Sequence, residues 1–278
     1  MNELIHIGTY WHINWLALIT ALVLLAFWWY NRTGSPVRKQ ILFLSGVFLM
    51  LLVTFSPVSY LGMNYLFSAH MVVHIVLLLI VPPLLLAGTG EKVFLKLKNS
   101  RFKSVGNILF STPVAWITGI GTMYLWHIPV IFKAAMENQT IHVIRFLSLI
   151  LAGLIFIWPV YAPVNWKRLS PLQCALYLFT ACVGCTVLGI FITFAPAGIY
   201  QPFFSGSNVA IWDIIHNAWG ITTATDQQAG GLIMWVPACF IYVTNILIML
   251  GGYFNHPDDK AEYNNTIVYE SKARYNNQ

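Results

Sequence analysis

Seven stretches of 17 to 25 residues run through this chain with almost no charge, at about 13–30, 40–56, 65–88, 108–126, 141–161, 172–195 and 230–254. A helix needs about 20 mainly apolar residues to cross the hydrocarbon core of a bilayer. Lipid offers no partners to backbone N–H and C=O groups, so continuous apolar runs of this length read as helices. A β-barrel would need a polar/apolar alternation that these runs lack. The fold expected is therefore all-α: a polytopic membrane protein with seven transmembrane helices over residues 1–254 and a polar tail over 255–278. Only 9% of residues are charged and mean hydropathy is +0.69, against about 25% charge in soluble domains. The net charge of +6 arises from having only nine acids rather than from a dense basic stripe, which argues against a nucleic-acid partner.

Positive charge in short loops stays cytoplasmic. Alternate connections carry Arg32, Arg38 and Lys39, then five basic residues between Lys92 and Lys103, then Lys167 and Arg168, and the tail adds Lys260, Lys272 and Arg274. That places 13 of 15 basic residues on one side, with only Lys133 and Arg145 on the other. The N-terminus is expected outside and the C-terminus in the cytoplasm. The connection 196–229 has no Lys or Arg, and its centre, NVAIWDIIHNAWG, reads as a short helix lying at the outer interface.

This topology puts His6, His12, His70, His74, His127, His142 and His216 on the outer side or in the outer third of a span, and His256 inside. Ionisable groups are costly in hydrocarbon and rare there without a function, and neutral imidazole is a common metal ligand. His70 and His74, in SAHMVVH, stand four apart and share one helix face. His127 follows the fourth span and His142 opens the fifth, on the same rim, while His6 and His12 read as surface residues. Asp213 and His216 sit three apart on the loop helix; Asp226 reads as a ligand, a partner orienting a histidine, or an N-cap. Sulfur from Met71 or Met234 beside imidazole suits Cu(I). Cys182 and Cys185 lie inside an apolar helix, with Cys239 at similar depth, and read as small hydrophobes. Paired Gly230 and Gly231 predict a close helix–helix approach, and Pro82 with Pro83 predict a kink in the third span.

Three motifs in order, AHMVVHIVLLLIVPPLLLAG from Ala69, LWHIPVIFKAAMENQTIH from Leu125 and DQQAGGLIMWVP from Asp226, resemble the caa3-type cytochrome c oxidase assembly factors (CtaG). The resemblance implies a non-enzymatic role in maturing a haem-copper oxidase in a bacterial inner (plasma) membrane, through copper supplied at the outer face to oxidase subunits. It carries over His70, His74, His127, His142 and Asp226 as candidate site residues. It also implies an acidic residue and a second histidine soon after His142, where this chain has Arg145 and Phe146; the site is then either reduced or completed by a substitute such as His216. Two other classes fit the same histidines. One is an intramembrane zinc hydrolase with three imidazoles and Asp226 as base; the other is a haem-binding electron-transfer protein with axial histidines.

Overall fold

The computed structural model describes residues 10–200 and 209–255. His6, His256 and the polar tail lie outside the described residues. Twelve helices make up the described chain, with no strand among its residues. They are α1 (Trp15–Asn31), α2 (Val37–Phe55), α3 (Pro57–Asn64), α4 (Phe67–Gly88), α5 (Glu91–Lys98), α6 (Lys103–Leu109), α7 (Thr112–Trp126), α8 (Pro129–Glu137), α9 (Gln139–Tyr161), α10 (Pro171–Phe194), α11 (Val209–Asp213, prolonged by a π-helical turn Ile214–Ala218) and α12 (Thr223–Asn255). Six of the seven apolar stretches each coincide with one helix, and the fourth, 108–126, straddles the break between α6 and α7. By length and composition five of them, α2, α4, α9, α10 and α12, suffice to cross a membrane. A sixth is gained if α6 and α7, bent by 63° at their junction, act as one span, and α1 is apolar but has only 17 residues.

Local chemistry sets where the helices start. Asn14 caps α1 by accepting from the amide of Ala17 at 3.1 Å, and Ser170 with Gln173 forms a reciprocal capping box on α10. Proline occupies the first turn of α3, α7, α8 and α10, where its missing N–H costs nothing and its fixed φ suits the helix. The short helices α3 and α8, placed between longer ones, were not among the expected elements.

Pro82 and Pro83 do not break α4. The helix widens over Val76–Ile80 into a π-helical turn, and the amide of Val81 reaches back to the carbonyl of Val76. Neither proline can donate to the turn before it, so an extra residue in the ladder absorbs the mismatch. Beyond it α4 runs on to Gly88, where an added Cβ would stand 2.3 Å from the backbone of Phe43.

α4 and α9 form the interior: 61% of the apolar window of each is buried, against 17% for α12. α12 lies along α10 and crosses α4 by way of the two expected glycines. A Cβ on Gly230 would fall 2.3 Å from the Phe67 ring, and one on Gly231 would fall 2.2 Å from the Thr193 hydroxyl. The end of the bundle with the lysine-rich connections is closed by aromatics: Phe110 stacks on Trp158 at 4.0 Å, and Phe94 and Trp166 meet Trp158 edge-on. The opposite end holds the histidines.

Candidate functional site

The site grows from the first two turns of α4. Asp226, in the first turn of α12, does not cap its own helix. Its carboxylate accepts from the amides of Phe67 (2.7 Å) and Ser68 (3.0 Å) and from the Ser68 hydroxyl (2.5 Å). Three donors at the exposed start of α4 thus converge on one buried anion, an arrangement favoured by both hydrogen bonding and the helix dipole. Both carboxylate oxygens are engaged there, and Asp226 anchors the helix that carries the histidines.

On that helix His70, Met71 and His74 are buried. The Nδ1–H of His70 donates to the carbonyl of Gly62 in α3 at 3.2 Å, and the lone pair of its Nε2 accepts from the Arg145 guanidinium of α9. Both ring nitrogens of His70 are therefore occupied. His74 differs: its Nε2 is buried and has no hydrogen-bond partner. Its ring meets that of His127 edge-on, with centroids 4.9 Å apart.

His127 closes α7. Its Nδ1 lies 2.6 Å from the carbonyl of Met123, one turn earlier, so Nδ1 carries the proton and Nε2 presents a bare lone pair. That lone pair faces the sulfur of Met71 at 3.2 Å. A lone-pair nitrogen and a thioether sulfur this close have no proton to share, and both are donors to a soft cation. Tyr200 pins the backbone here through its hydroxyl, which donates to the carbonyl of His127 at 2.8 Å.

His142 and Arg145, three apart on α9, face a cavity of about 30 Å³ that His70 and His74 also line. His216 stands apart: it stacks on Trp212 at 4.4 Å and lines a different pocket beside Tyr200 and Asp226. Among the described residues no three His, Cys, Asp or Glu side chains converge to hold a metal ion. The donors that do meet are His74, His127 and Met71, two imidazoles and a thioether. Arg145 is the participant that sequence reasoning undervalued. A lone cation one turn past His142, at the end of the bundle that has almost none, was the available signal.

A family model described as cytochrome c oxidase caa3 assembly factor matches residues 21–255. The chain belongs to that family. The match takes in every helix of the site, from the last turns of α1 to the end of α12. No curated protein and no solved structure shows a significant match to the chain. The caa3 assembly factors act in the formation of cytochrome c oxidase.

Proposed function

We propose that this caa3 assembly factor carries Cu(I) in the outer leaflet of a bacterial inner membrane and hands it to an oxidase subunit, without catalysing a reaction. In this reading the bundle spans the membrane seven times, with α1 and the bent α6–α7 pair counted as spans and the N-terminus outside. The distribution of Lys and Arg supports that orientation. The observation that carries the copper reading is the His127 Nε2 to Met71 Sδ approach of 3.2 Å, with the unpartnered Nε2 of His74 beside it. Neutral imidazole and thioether suit Cu(I) and suit hard or borderline ions poorly. Copper is cargo here, so a donor set of three without a carboxylate is an advantage: the ion exchanges more readily than from a closed charged site.

The test is anaerobic competition for Cu(I) between the detergent-purified full chain and a chromophoric chelator. Wild type should hold one ion, and His74→Ala/His127→Ala should lose it. Met71→Leu should weaken it by 10-fold or more, while Asp226→Asn and His216→Ala should leave the affinity unchanged provided the protein folds. Unchanged affinity in the double variant would remove the copper reading. Stoichiometric zinc or a haem absorption band in the isolated protein would favour one of the two other classes.

A further inference from the structure

Arg145 lies in the interior of the bundle at 7% exposure, and among the described residues its charge has no opposite. One terminal nitrogen donates to His70, the other contacts the sulfur of Met63 at 3.7 Å, and Nε has no partner. The acids among the described residues are all committed elsewhere. Asp226 holds the start of α4, Glu91 pairs with Lys39, Glu137 lies beside Lys133, and Asp213 accepts from Asn217. A guanidinium does not escape burial by losing its proton. An unpaired charge in a low-dielectric interior costs several kcal/mol, and intramembrane cations are found paired.

Arg145 lines a cavity with Asn14, His142 and Ser59. This cavity is rich in donors. The Asn14 carbonyl oxygen is taken by the amide of Ala17, which leaves its NH₂ group for the cavity. His142 lines the cavity as well, and no carboxylate does. The volume of about 30 Å³ accommodates a monatomic ion or about two water molecules. We propose that this cavity is a binding site for a small monovalent anion of the size of chloride, held by Arg145 with Asn14 and His142. The proposal is separable from the copper reading, because Arg145, Asn14 and His142 are not among the three copper donors, although the donor His74 lines the same cavity.

The experiment is thermal unfolding of the full chain in nanodiscs, in sodium gluconate with chloride or bromide substituted at constant ionic strength. Wild type should gain stability with halide along a saturating curve. Arg145→Gln should show half-saturation at least 10-fold higher, or no response, and in gluconate should unfold no earlier than wild type, since it removes the unpaired charge. Chloride-35 NMR supplies a second readout if Arg145→Gln does not fold: wild type should broaden the line, bromide should reverse the broadening, and Asn14→Leu should reduce it. A wild type indifferent to halide in both measurements, or an Arg145→Gln response equal to that of wild type, would overturn the proposal.

Discussion

The aromatic cluster at the lysine-rich end of the bundle and the histidine cluster at the other treat their buried polar groups differently. At the lysine-rich end the indole of Trp158 donates to the carbonyl of Trp166, and the indole of Trp166 donates to Asn107, at 2.9 and 2.8 Å. Both tryptophan N–H groups of that cluster have an acceptor inside the protein. At the histidine end His74, His142 and Arg145 each keep a buried nitrogen without one. Buried polar groups are nearly always satisfied, and leaving one unsatisfied costs about 1–3 kcal/mol. Trp28 and Trp116, nearer the lysine-rich end, also keep an indole nitrogen without an acceptor, so the contrast lies between two clusters: the one around Trp158 and Trp166 closes its bonds and holds the fold together, and the one around the histidines leaves them open to meet something else.

That contrast is open to direct attack by thermal unfolding in detergent. The largest effect belongs to Trp158→Ala, which empties the space between Phe94, Phe110 and Trp166. It should cost about 3–5 kcal/mol, as other large-to-small core substitutions do. Asp226→Ala should follow at about 2–3 kcal/mol, because it strands the first amides of α4 beside an apolar neighbour. In that variant amide exchange should accelerate at Phe67 and Ser68 before it does elsewhere in α4. Trp158→Phe should cost about 1 kcal/mol for the lost indole bond. By contrast His74→Leu should leave the unfolding midpoint level or raise it, since it replaces an unpartnered polar ring with an apolar side chain. A loss of 2 kcal/mol or more there would show that His74 is structural and dissolve the distinction between the ends.

The smallest effect concerns the Lys39–Glu91 pair, 2.8 Å apart between α2 and α5. Lys39 holds the carboxyl of Glu91 below its ordinary value of 4.5. The stability it adds is therefore present above about pH 4.5 and lost as the pH falls through the lowered value. The pair is exposed, so Glu91→Gln should shift stability by less than about 1 kcal/mol at neutral pH.

What could be read from the sequence follows the range of the forces involved. Apolar runs and proline positions act within a segment, so each expected stretch but the fourth, which is split by the α6–α7 bend, falls in a single helix, and the Gly230–Gly231 contact was foreseeable. The proximity of His70 and His74 was legible for the same reason, being a matter of helix pitch. The bonds that decide what each histidine does join residues far apart in the chain. Arg145 reaches back 75 positions to His70, and Asp226 reaches 158 and 159 positions to Ser68 and Phe67. A carboxylate near a helix start has an obvious local use as that helix's own cap, and nothing in DQQAGG indicates that it serves another helix. The His127–Met71 approach was equally hidden, because methionine in a membrane interior is most often filler. The position of His216 depended on a loop whose packing on Tyr65 and Leu66 no periodicity reveals.

The π-helical turn of α4 separates these two worlds along a single helix. Each residue advances a helix by about 100°, so one additional residue between Ile75 and Val81 rotates the histidine-bearing turns relative to the turns that clasp Phe43. Deleting a residue from 76–80 would swing His70 and His74 away from Arg145 and His127 while the Gly88 contact stayed in register. The aim of the chemistry and the grip of the scaffold thus have separate adjustments on one rod, and an insertion or deletion of one residue at this swivel can redirect the first without loosening the second.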